Sequence, residues 1–110
     1  MAKTKPLPVI VRYEGPGKAT RKGWYVSDLV AFFPTEPGDN DARTIMCYST
    51  IGQHSSAVAG YIGRKTQPAT ETQIAAMMVE LHAIGYKNLH VIKRASPTHA
   101  QVRREALKIK

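Results

Sequence analysis

Residues 24–34, WYVSDLVAFFP, are apolar on both sides of an extended chain. Val26, Val30 and Phe32 fall on one face, interrupted by Asp28, and Tyr25, Ser27, Leu29, Ala31 and Phe33 on the other. A strand of this kind is buried only where material covers both faces of its sheet. The dense turn cluster PTEPGDNDA follows, and then RTIMCYSTI, where Ile45, Cys47 and Ile51 oppose Met46 and Tyr48. Residues 24–51 therefore predict a long antiparallel hairpin with an acidic tip. Upstream, LPVIVRYE is β-branched and aromatic and runs into the turn GPGK, which predicts a first strand.

The helical signals are local. Thr70 stands three residues before Gln73, a capping-box spacing, and Ile74, Met77, Met78 and Leu81 follow at intervals that make one stripe. Gly85 sits where a left-handed C-terminal cap belongs. KNLHVIKR reads as a short strand with Leu89 and Val91 on one face and His90 and Ile92 on the other. Ser96-Pro97 is an N-cap followed by a first-turn proline, opening a last helix with Val102, Ala106 and Ile109 as its stripe and Arg103, Arg104 and Lys108 off it. The expected architecture is a single α+β domain over residues 1–110, of order β-β-β-α-β-α. A small antiparallel sheet carries the 70–85 helix on one face, and a basic helix ends the chain. Val30, Phe32, Ile45, Ile74, Met78, Leu81 and Val91 are its expected core.

Composition narrows the function classes. Cys47 is the single cysteine, which excludes an internal disulfide and every multi-cysteine zinc pattern. His54, His82, His90 and His99 lack metal-ligand spacing, so no metal and no cofactor are expected. No apolar run is long enough for a membrane span, and the N-terminus lacks a signal-peptide pattern; a cytoplasmic setting without membrane contact is the expectation. Net charge is +8. Residues 1–22 carry six lysines and arginines against Glu14, and residues 87–110 carry seven against Glu105, while the middle of the chain is acidic. Positive charge gathered this way favours polyanions.

Residues 49–70, STIGQHSSAVAGYIGRKTQPAT, hold the remaining candidates. Gln53, His54, Ser55 and Ser56 form a polar clump, three glycines follow the pattern of a bend, and Arg64-Lys65 supply charge. Glycines admit close backbone approach, serines and amides donate hydrogen bonds, and Tyr61 offers a ring for stacking. The same composition suits first a structural bend leading into a short edge strand or helical turn, with the serines capping it, and an anion contact second. GYIGRKT lacks the spacing of a Walker loop, and the element order around GYIG is not that of a KH domain. Lys93-Arg94 together with Arg103, Arg104 and Lys108 make a second cationic set, with no helix-turn-helix around them. Cys47 and His54 as a thiolate–imidazole pair would need a third, orienting group, and none is evident.

The segments CYSTIGQHSSA, KTQPATETQIAAMMVEL and IGYKNLHVIKR together resemble small uncharacterised open reading frames of phages and mobile elements. These share a Gly-Gln-His-Ser clump, a Pro-Ala-Thr helix start and a Gly-Tyr before a final strand. The resemblance implies a bacterial or phage setting and adds no catalytic residue. The leading expectation is a non-enzymatic protein that binds nucleic acid through its basic ends and the glycine-rich loop. A small inhibitor or sequestering protein, directed at a host protein or an anionic nucleotide and compatible with an oligomer, is the second. A hydrolase or transferase using Cys47 or His54 is the third.

Overall fold

β2 (Leu29–Phe33) is buried at every residue, as its two-sided apolar composition requires. It lies at the centre of the sheet in the computed structural model, which describes residues 6–20, 22–49, 53–58 and 60–108, Gln53 by its backbone alone. β1 (Leu7–Tyr13) and β3 (Thr44–Ser49) pair antiparallel on either side of β2, and β4 (Gln53–Val58) pairs antiparallel with β3. A five-residue helix, α1 (Tyr61–Lys65), leads to the two-residue β5 (Gln67–Pro68). Next come α2 (Glu71–Ala83), β6 (Leu89–Val91) and α3 (Pro97–Lys108). The α+β class and the two principal helices agree with the sequence.

Three features differ from the expected layout. The central strand starts at Leu29 because residues 26–28 close a 3-10 turn. Asp28 is the cause: its carboxylate accepts the Tyr25 amide at 2.8 Å, and its own amide donates to the Tyr25 carbonyl at 2.8 Å. Gly15 lies so close to this turn that a Cβ would meet Asp28 Cγ at 2.5 Å. The polar segment, absent from that order of elements, forms an edge strand and a helical turn, in line with its structural reading. Finally, β6 runs parallel to β1, so the sheet is mixed. β5 and β6 divide the outer edge of β1, β5 opposite Arg12 and Tyr13 and β6 opposite residues 7–9.

Both faces of the sheet are covered. Val9, Val11, Tyr13, Leu29, Ala31, Phe33 and Tyr48 meet Met77 and Leu81 of α2. Ile10, Val30, Phe32, Ile45 and Cys47 meet Ile62 of α1. The α2 stripe is centred on Gln73, Met77 and Leu81, with Ile74 and Met78 half-buried at its flank. Gln73 is buried without cost to its amide. It closes the capping box with Thr70, accepting that amide at 2.8 Å, and donates to the Ala19 carbonyl at 2.8 Å. At the other end Gly85 adopts φ +109°. The Tyr86 amide reaches the Leu81 carbonyl, and the Gly85 amide that of His82, a Schellman cap. Val91 is a correction to the expected core: it is 36% exposed, because β6 ends there at the edge of the sheet.

Candidate functional site

Alternation along β4 divides the polar clump between the two faces of the sheet. Ser55 pairs with Cys47, and their Oγ and Sγ lie 3.1 Å apart on the α1 face. His54 pairs with Tyr48 and projects to the α2 face, its ring 5.0 Å from the Tyr48 ring and its Nε2 2.8 Å from the Tyr86 hydroxyl. Cys47 and His54 thus stand on opposite sides of the sheet and do not form a nucleophile–base pair. Ser56 shares the His54 face and donates to Asp39 at 3.2 Å. The Gln53 side chain, with Thr50, Ile51 and Gly52, lies outside the described residues.

Tyr61 is held as a support for α1. Its ring sits 6.2 Å from Phe32 and its hydroxyl donates to Glu14 at 3.1 Å, over a cleft of about 290 Å³ that also holds Cys47, Ser49 and Ser55. Burial, aided by the Glu14 carboxylate, raises the Tyr61 pKa.

The cationic residues come together around the other side of α1. Arg12 lies on the same face of β1 as Ile10, an inward position for a basic residue, and is half-buried. Its Nε donates to Thr66 Oγ1 at 2.9 Å, and its Nη2 to the carbonyls of Thr66 at 2.9 Å and Ile62 at 3.3 Å. Thr66 in turn donates its hydroxyl to the Ile62 carbonyl. The arginine therefore ties α1 to β1 while its guanidinium lines a cleft of about 410 Å³ with Ile62, Gly63, Lys93, Arg94 and Ala95. Desolvation pulls its pKa below the ordinary guanidinium value. Among the described residues no carboxylate lines this cleft. Among the described residues neither Lys93 nor Arg94 is in an ion pair, and both are exposed. Among the described residues nothing outside the helix's own backbone lies within 4 Å of a Cβ placed on Gly63, so this side of α1 leaves room for a ligand.

A second cleft of about 500 Å³ lies at the start of α1, lined by Asp41, Arg43, Val58, Gly60, Arg64 and Arg103. Arg64 bends back to donate from Nε to the Gly60 carbonyl at 3.2 Å. Arg43 is committed to Asp41 at 2.7 Å, and that bond holds the Asp41 carboxyl down at about 2.

Arg103 departs from the expectation of a solvent-facing phosphate clamp. It is only 4% exposed, and it donates to the carbonyl of Pro34 at 2.6 Å and that of Ala42 at 2.7 Å. These bonds fasten α3 to the β2–β3 connection. The inward side of α3 is thus rotated from the expected stripe: Val102 is 42% exposed, and Ile109 lies outside the described residues. Lys65, Arg104 and Lys108 are exposed, Lys108 facing Glu105 at 3.5 Å. Arg12, Tyr48, Glu80 and Tyr86 were not singled out by sequence. For Arg12 a signal existed, a charge at an inward position of β1; for the others only the fold supplies one.

Among the described residues no three of His, Cys, Asp and Glu converge as metal ligands would, and no helix is long and apolar enough to cross a membrane. In comparison with known proteins, the chain matches no family model, no curated protein and no solved structure.

Proposed function

We propose that the chain is a non-enzymatic binding protein for polyanions, nucleic acid first among them. Arg12, Lys93 and Arg94 take the phosphate backbone beside Gly63, and Arg64 extends the track along α1. One observation carries this reading: among the described residues, three cations from two separate strand regions line one cleft without a carboxylate, beside Gly63, where α1 leaves room. Phosphate contacts of this kind supply affinity and register, with no sequence reading of their own. The basic ends of the chain add a long-range attraction.

The test is fluorescence anisotropy of labelled single- and double-stranded oligonucleotides across a salt series. Each phosphate neutralised contributes roughly 0.7 to 0.9 to the slope of log affinity against log salt. The double variant Lys93→Ala/Arg94→Ala should lower that slope by about 1.4 to 1.8. A wild-type affinity that does not change with salt excludes the reading. Competition by nucleoside triphosphate as strong as by an oligonucleotide would shift the ligand to an anionic nucleotide.

A second reading, an inhibitor or sequestering protein of the phage type, draws on the open edge of the sheet. The Met46 amide donates to the Glu36 carbonyl on the β2 side, so its partner on β4, Ser56, turns its amide and carbonyl outward. The alternation extends this to His54 and Val58, leaving an uncharged edge that an extended segment of a host protein could join as a further strand. Amide exchange checks the premise. The amides of His54, Ser56 and Val58 should exchange faster than those of Ser55 and Ala57, and equal protection along β4 would show the edge to be already covered.

A further inference from the structure

On the α2 face, away from the cationic clefts, a pocket of about 370 Å³ is lined by Tyr48, His54, Ile84, Gly85 and Tyr86. Three of these five residues are aromatic rings set at angles to one another. The Tyr48 and His54 planes are inclined by 53°, and the His54 and Tyr86 planes by 48° with centroids 5.9 Å apart. The rings are fixed in place. Tyr86 is stacked on buried Phe33 at 4.9 Å, and its hydroxyl is joined to His54 Nε2. Tyr48 donates to Glu80 Oε1 at 2.7 Å. Ile84, 45% exposed, adds an apolar wall.

The electrostatics of this pocket run against those of the whole molecule. Glu80 accepts a hydrogen bond from the hydroxyl of one ring, and burial, with the charge of Glu36 second, raises the Tyr86 pKa. The C-terminus of the thirteen-residue α2 ends at Ile84 and Gly85, so its partial negative charge points at the same place. An aromatic corner with a carboxylate on the hydroxyl of one ring and a helix C-terminus beside it favours cations that also have an apolar body.

We propose that this pocket binds an organic cation of the methylated-ammonium class, with its methyl groups against Tyr86, His54 and Ile84 and its charge toward Glu80 and Glu36. Ring faces attract such a charge through their quadrupoles, and its methyl groups gain from leaving water. The site is separate from the polyanion clefts and does not depend on them.

The experiment uses the full chain and two ligands of one shape: choline, and its uncharged isostere 3,3-dimethylbutan-1-ol. Titration followed by NMR should give saturable shifts at His54, Gly85 and Tyr86 with choline, and binding about tenfold weaker for the alcohol. Glu80→Gln keeps the Tyr48 bond and the size of the side chain, and should weaken choline several-fold while the melting temperature holds. A peptide carrying trimethyl-lysine, titrated in parallel, separates the sources of the cation. Tighter binding than choline assigns it to a polypeptide, and equal or weaker binding to a free small molecule. Equal affinity for choline and the alcohol would overturn the proposal. So would choline affinity unchanged in both Glu80→Gln and Glu36→Gln, or shifts that fail to saturate.

Discussion

Arg103 and Arg104 are neighbours of the same type with opposite fates. Arg103 is turned inward onto two carbonyls at the hairpin tip, and Arg104 faces solvent. Removing the first leaves buried acceptors unpaired, so Arg103→Ala should cost about 2–4 kcal/mol in chemical denaturation. Arg103→Lys should recover little, since a single ammonium cannot span two carbonyls as a guanidinium fork does. Arg104→Ala should stay within about 0.5 kcal/mol of the parent. Tyrosines give a second prediction. Tyr48 is raised by its bond to Glu80 and then by burial, Tyr61 by burial and then Glu14, and Tyr86 by burial and then Glu36. A pKa raised in the folded state means that the folded chain holds its proton more firmly than the unfolded one. The resulting stability is complete below the ordinary tyrosine value of about 10 and is lost as pH rises through the folded values. Denaturation midpoints should therefore fall above about pH 10, and Tyr48→Phe should reduce that fall.

At the level of elements, α2 is framed by two local devices whose removal can be measured. Thr70→Ala should cost about 1 kcal/mol by opening the capping box, and Gly85→Ala a similar amount by placing a Cβ at φ +109°. Both devices were legible in the sequence because each is complete within four to six consecutive residues. β4 was not. QHSSAV has no apolar alternation, and what holds it extended is pairing with β3, a partner that propensity does not name. The parallel direction of β6 was hidden for the same reason, since its partner residues, 7–9, lie at the far end of the chain. Among candidate residues, the charges of Lys93 and Arg94 could be read but their meeting with Arg12 could not, because that meeting is made by the parallel pairing of β6 with β1. Arg103 was misplaced because α3 has too few apolar residues to declare which side faces inward.

For the molecule as a whole, charge is sorted by face. The cleft beside Gly63 is cationic, and the aromatic pocket on the α2 side has the Glu80 carboxylate on the hydroxyl of one of its rings. Lys93→Ala/Arg94→Ala should leave choline shifts intact, and Glu80→Gln should leave the salt slope of oligonucleotide binding intact. Coupling between the two in a double titration would contradict that separation. The divided outer edge of β1 has a consequence of another kind. Half of that edge is taken by residues 89–91, so β1 waits on the ribosome for one of its partners until those residues, about eighty positions later, have been translated. Until then a row of bare amides and carbonyls is exposed, and pairings so distant in sequence close slowly, on the order of milliseconds to seconds. A nascent chain stalled before residue 89 should therefore be the form most open to chaperones and proteases.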